Sequence, residues 1–353
     1  MTVTDDAQVF VDAFNRSYEE KHMAFEEQFW GTKMALKGSE FSSENLSRTK
    51  KEMEDLLSDP EVLAKAQAFR AKIEEESDLT KVLDCIIKSC QCYTMPPEVK
   101  SIREETAKLE GDLEMARNGM TLGYTDKDGT FVQASSVGLR NKLSTDADEN
   151  VRKAAYEGLC SIGGFVLDHG FVDIIKKRNQ IAKKLGFVDY YDYKVTNAEG
   201  FGKTKLFGML DGLEKGTRPI MVKAREEFAK KYGNEALKPW NMPYKMKGSI
   251  VQKMDPYFPF SLAVERYVRS YAAMQITYEG ATMNLDLLDR PKKYSNGFCH
   301  WPRVAWQPPN QPFVPSTTNF TSLADPTAVG SGLTALRTLM HEAGVSFREL
   351  YSV

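Results

Sequence analysis

Apolar side chains recur every three or four positions along almost all of the first two hundred residues, and that period commits this part of the chain to helices. Val11, Phe14, Tyr18, His22, Phe25 and Phe29 fall on one helical face. Leu46, Met53 and Leu57 mark a second helix, which should stop near Asp59-Pro60, where Asp59 can cap and Pro60 can open the next helix. Val99, Ile102, Leu109 and Leu113 mark another, closed by Asn118-Gly119. Charged stretches between them, such as Arg103-Glu104-Glu105, read as a solvated face. His22, inside the first stripe, reads as a packing or boundary residue.

The period then changes. Leu122 and Tyr124 on one side of Asp128-Gly129, and Phe131 and Val132 on the other, have the layout of a short hairpin. Helical spacing resumes after Ser144-Thr145, an expected capping region, and runs through Val151, Ala155 and Leu159. Gly163-Gly164 is expected to break it before a long helix through Phe171, Ile174, Ile175, Ile181 and Leu185. Gly233 to Lys247, with Pro239 and Pro243, reads as an irregular connection, and helices return from Phe260 to Met274. Between Thr277 and Phe320 six prolines separate short apolar segments, the texture of a small irregular sheet with long loops. The expected fold class is mainly α: a helical N-terminal lobe over residues 1–200, then a lobe over 201–353 with a small sheet.

Composition narrows the class of function. Among 353 residues, 47 basic side chains face 49 acidic ones, so the basic excess or stripe of a nucleic-acid or membrane-surface protein is missing. No apolar run approaches the roughly 18 residues that span a bilayer. Residues 1–14 carry Asp5, Asp6 and Asp12 and lack a signal-peptide layout. Five cysteines scattered through a long chain argue against a disulfide framework, and a reducing, cytoplasmic setting is expected. Cys90-Gln91-Cys92 reads as buried thiols on a helix.

The most informative segment is Gly332 to Val345. Leu333, Leu336 and Met340 share a face, so a helix should lead into His341-Glu342. In the zinc hydrolase motif H-E-x-x-H, two histidines four apart on a helix grip one ion, and the intervening Glu serves as general base on the bound water. Here the first two letters are present and the fifth is Val345. A His-Glu pair alone is a weak signal and reads first as an ordinary helix end. Gly330-Ser331-Gly332 lacks the rest of a nucleotide signature and reads as the start of that helix.

Four stretches, in order, resemble one family. Thr338-Leu-Met-His-Glu-Ala-Gly344 is similar to the Thr-Leu-Phe-His-Glu-x-Gly-His signature of the M3 peptidases, the thimet oligopeptidase and oligoendopeptidase F family. Arg178 to Tyr193 resembles that family's helix and turn ahead of its catalytic lobe. Leu285 to Lys293, with Gly297-Phe298 behind, resembles its Asp-Leu-Tyr-x-Arg-x-Gly-Lys segment. Pro312 to Phe320 sits where the family has an exposed strand followed by Asn-aromatic. The resemblance implies a zincin-like catalytic lobe, with His341 as first zinc ligand and Glu342 as general base in the hydrolysis of short peptides. It also implies an edge strand, with Pro315, Ser316, Thr317, Thr318 and Asn319 taking up an extended peptide by main-chain hydrogen bonds. Pro312 and Pro315 suit an edge, since each lacks a donor.

The pattern then departs from the family's. Val345 replaces the second histidine and offers no lone pair. Glu349 lies eight residues past His341, about 12 Å along a continuous helix, whereas zinc bonds are about 2 Å long. His300 is expected to be a solvated or core histidine rather than a substitute ligand. The resemblance therefore implies a Zn2+ centre that this chain supplies in part, a catalytic lobe cut short inside the zinc-binding helix, and no hydrolysis by the chain alone. Two other readings stand beside it: a non-catalytic peptide-binding or regulatory fragment, and a plain helical scaffold.

Overall fold

The computed structural model describes every residue except 1, 291, 295–296, 309–310 and 351–353; at 249 and 345–350 it describes the backbone and not the side chain. In chain order the helices are α1 (Val3–Lys33), α2 (Ser43–Leu57), α3 (Pro60–Lys72), α4 (Asp78–Tyr93), α5 (Pro97–Asn118), α6 (Ser136–Thr145), α7 (Glu149–Asp168), α8 (Phe171–Lys184), α9 (Tyr190–Glu199), α10 (Lys203–Tyr232), α11 (Ser249–Met254), α12 (Ala263–Ala273) and α13 (Ser331–Leu350). The strands are β1 (Gly123–Thr125), β2 (Phe131–Gln133), β3 (Thr282–Leu288), β4 (Phe298–Arg303) and β5 (Thr317–Ala324). The fold is mainly α with two small sheets, as the periodicity requires. Among the described residues no single helix is long and apolar enough to cross a membrane.

The chain divides into two compact units. One holds Met1–Met95, Phe258–Thr327 and Ser331–Val353; the other holds Pro96–Tyr257 with Ala328–Gly330. The boundary expected near residue 200 falls inside the second unit, in the turn between α9 and α10.

The second unit is built from local signals. β1 and β2 form the hairpin expected around Asp128-Gly129, with Gly129 at φ +79°. Leu122, Leu139, Leu143 and Ala155 make its core, and α7 approaches β1 so closely that a β-carbon at Gly158 would lie 2.2 Å from the Gly123 carbonyl oxygen. Asp148, and not Ser144 or Thr145, caps α7, because α6 runs on to Thr145. The break expected at Gly163-Gly164 is absent: both glycines stay helical, and α7 ends at His169-Gly170, where Gly170 takes φ +89°. The Arg178 to Tyr193 stretch is a structural joint. Arg178 donates to Glu110 at 2.9 Å with its guanidinium 5.3 Å from the Tyr190 ring, and the Asn179 amide oxygen accepts from the Tyr190 amide. No residue of α10 is buried.

The first unit combines a four-helix layer with a three-stranded sheet. Val11, Phe14, Leu57, Ala66, Leu83, Ile86 and Cys90 form the core of α1–α4, and Asp59 caps α3 with Pro60 opening it. None of the five cysteines is in a disulfide; Cys90 is buried as expected, but Cys92, two residues on, faces solvent.

The sheet order is β3-β5-β4, with β3 parallel and β4 antiparallel to β5. The strand expected at an edge is therefore the central one. Thr318, Asn319, Phe320, Thr321 and Ser322 are all buried, so both faces of β5 are covered and both its edges are paired. Pro312 and Pro315 precede the strand instead of interrupting it. Side-chain alternation then assigns the faces. Phe320 packs with Leu339 and Ala343 of α13, whereas Asn319 meets His300, whose ring stacks on Phe29 and Trp30 of α1.

A bulge interrupts β3 between Asp286 and Leu288, and a buried lysine fills it. The Lys293 ammonium donates to the Asp286, Leu288 and Ser322 carbonyls at 2.9, 2.7 and 2.7 Å and to the Asp286 carboxylate at 3.0 Å. Arg290 grips both oxygens of the same carboxylate and also the carbonyl of Met34, just past the end of α1. Burial alone would raise the Asp286 pKa, but the bonds from Arg290 and Lys293 outweigh it and hold it below the ordinary value. Burial draws Lys293 below the usual lysine range, against the pull of Asp286.

Lys293→Met should cost about 3–5 kcal/mol, because it leaves Asp286 and three carbonyls short of their donor; urea unfolding measures this. Because the folded Asp286 carboxyl has the lower pKa, its contribution is intact above the unfolded value of about 3.9 and is lost as pH falls through the folded one. Asp286→Asn should therefore be less stable than the parent at pH 7 and less sensitive to acid below about pH 4, read from thermal melts across that range.

Candidate active site

α13 begins where backbone meets backbone. A β-carbon at Gly332, in the first turn of the helix, would fall 1.7 Å from the Phe258 carbonyl oxygen, so the glycine there serves close approach. From there the helix divides into faces. Ala335 is buried, as are Leu339 and Ala343, which with the partly buried Leu336 and Met340 pack against Phe320, Tyr267 and Tyr271. Thr334, Arg337 and His341 lie three and four apart and are exposed. Glu342 is half-buried on the flank between those faces.

The chain has four histidines, and the described structure occupies three of them. His22 contacts the Trp301 carbonyl at 3.3 Å and stacks on Tyr18. His169 contacts the Phe165 carbonyl at 2.7 Å. His300, only 6% exposed, has Nε2 at 2.6 Å from the Glu26 carboxylate and Nδ1 at 3.1 Å from the Asn319 amide nitrogen. With Asn284 donating to the Asn319 oxygen at 2.8 Å, the Asn319 nitrogen donates to Nδ1, and Nε2–H is left to donate to Glu26. Both nitrogens are spent, so His300 is the core histidine expected and not a ligand in reserve.

His341 therefore has Glu342 beside it in sequence, while the other three imidazoles have partners of their own. Position 345, one turn on, is valine, and the side chains of Val345 and Glu349 lie outside the described residues. Among the described residues no three His, Cys, Asp or Glu side chains come together as a metal site. A zinc ion needs about four ligands, at least three of them usually from protein. The described donor set does not meet that demand.

The peptide-binding residues expected beside the site are placed differently. Ser316, Thr318 and Asn319 are buried, and Pro315 and Thr317 half-buried, in or just before the central strand. Thr317, Thr318 and Asn319 pair with Thr282, Met283 and Asn284 on one side, and Asn319 and Thr317 with His300 and Arg303 on the other. The outer edges of this sheet belong to β3 and β4.

Helical periodicity did not single out three tyrosines at the back of α13. The Tyr271 hydroxyl donates to the Met340 carbonyl at 2.7 Å, Tyr278 to the Ala343 carbonyl at 3.4 Å, and Tyr267 to the Tyr278 oxygen at 2.6 Å. Burial pushes all three phenols above the ordinary tyrosine pKa, so they stay protonated and donate. The available signal was Tyr267 and Tyr271 four apart on one helix, aromatic bodies with polar tips.

Comparison with known proteins supplies the lineage. Among solved structures, a putative oligoendopeptidase F aligns with a TM-score of 0.52 at 16% identity, over 97% of this chain and 64% of its own. Metallocarboxypeptidase 1 of Trypanosoma cruzi aligns with a TM-score of 0.55 at 12% identity, over 97% of this chain and 55% of its own. The chain thus spans less than two thirds of either structure, and at these identities the likeness is one of fold. No curated protein sequence matches the chain. The model of peptidase family M3 matches residues 143–353, which include α7 to α13, the three-stranded sheet and the His341-Glu342 pair. A match over more than half the sequence settles the ancestry: the chain belongs to peptidase family M3.

Proposed function

We propose that this chain is built on the scaffold of a zinc-dependent oligopeptidase for short peptides, and that its own residues neither complete the metal centre nor hydrolyse peptides unaided. Family membership supports the first half. The observation that carries the second is the state of the histidines: His341 stands exposed beside Glu342 on α13, while His22, His169 and His300 are held by other partners. His341 and Glu342 are the chain's contribution to the centre. The near-balanced charge gives no reason to add a nucleic acid or a membrane to its partners, and the cytoplasm is the compartment proposed.

A second reading, peptide binding without hydrolysis, draws support from the sheet. An extended peptide adds to an edge by main-chain hydrogen bonds, and the edges here are β3 and β4. Pro302 within β4 fits an edge position.

Metal analysis of the purified chain should find well under one zinc per molecule. Val345→His places an imidazole four residues from His341 and should raise zinc affinity by at least about tenfold, or about 1.4 kcal/mol. One tightly held zinc per unaltered chain, with turnover of a quenched-fluorescence peptide, would overturn the proposal. For the second reading, labelled peptides of about five to ten residues should bind equally well with and without a chelator, binding that follows zinc content being the contrary result. A site of that length matches strands of about five or six residues.

A further inference from the structure

We infer that Tyr271, backed by the Tyr267–Tyr278 pair, is a positioning residue that fixes the rotation of α13 about its own axis and thereby aims His341 and Glu342. The inference rests on the proposed role of α13 as the helix that presents a ligand and a base. Leu339, Ala343 and Phe320 hold the helix by apolar contact, which is non-directional and leaves some freedom to roll. A hydrogen bond to a carbonyl is directional and removes that freedom.

The two carbonyls engaged, Met340 and Ala343, lie three residues apart and so on one side of the helix, and they bracket His341-Glu342. Each carbonyl oxygen has two lone pairs, so it accepts a phenol alongside its helical partner. The phenols are themselves fixed. Tyr271 meets Tyr267 edge-on at 4.9 Å and stacks on Tyr278 at 6.3 Å, and Tyr267 donates to the Tyr278 oxygen.

Gly344 belongs to the same device. A β-carbon there would lie 3.3 Å from the Tyr271 oxygen, so the glycine leaves the hydroxyl its path to Met340. Packing needs only the tyrosine ring; aiming needs its oxygen. The two roles separate experimentally on that atom.

Two variants of the full chain test this. Tyr271→Phe keeps the ring and deletes one hydroxyl. Gly344→Ala crowds the same hydroxyl while improving intrinsic helix propensity, so a purely structural role predicts no loss of order there. The probe is the set of four imidazole signals in the NMR spectrum of histidine-labelled protein. In both variants the His341 signal should shift or split while those of His22 and His169 stay in place. In the Val345→His background, adding Tyr271→Phe should lower zinc affinity by about tenfold. An unmoved His341 signal in both variants, whatever happens to the melting temperature, overturns the inference. Failure of Val345→His itself to take up zinc would overturn the reading of α13 as a ligand helix; the histidine spectra judge the positioning role independently of it.

Discussion

Five consecutive buried residues in β5, four of them polar, set the terms for the unit that carries the candidate site. Thr318, Asn319, Thr321 and Ser322 lie between two layers, and burying such side chains is unfavourable unless their hydrogen bonds are recovered. Asn319 is satisfied through His300 and Asn284, and the Ser322 hydroxyl donates to the Leu287 carbonyl. The Ser322 carbonyl takes the Lys293 ammonium. Phe320, the one large apolar member, seats α13 on the opposite face from α1. Holding this strand requires β3, β4, α1 and α13 together.

That requirement accounts for what a linear reading captured and what it missed. Asp59-Pro60, Asn118-Gly119 and Asp128-Gly129 were legible because caps and turns are settled by neighbours in sequence. Gly163-Gly164 misled because glycine lowers helix stability without forbidding it, while Gly170 with positive φ marks the actual break. The Pro-rich approach to Thr317 suggested an edge, although those prolines precede the strand. Whether a strand is central depends on partners tens of residues away, which local pattern does not encode. At the site, His341-Glu342 and the helix beneath them were readable from a motif; the tyrosines behind them were not, since their oxygens matter only through a helix about seventy residues on.

The Leu285 to Lys293 stretch shows how a family-like motif can serve architecture rather than chemistry. Its Asp, Arg and Lys close a bulge and tie β3 to the Met34 carbonyl beyond α1. Glu26 and His300 join the same layers from within the unit. These buried polar groups are the ones a search for catalytic residues would pick first, yet each already has a structural partner. His341 is distinguished by the opposite property, an imidazole on an exposed face.

The pairing of Glu26 with His300 spans 274 positions, and that of His22 with Trp301 spans 279. Pro96–Tyr257, by contrast, is nearly a unit in itself. On a ribosome working at about 5–20 residues per second, α1 waits roughly 15–55 s for the strands that cover its Phe29 and Trp30 face. The second unit can close during that interval. A newly made chain is thus a folded middle with an unshielded aromatic helix ahead of it, and the interval before β4 and β5 emerge is when a chaperone has most to protect.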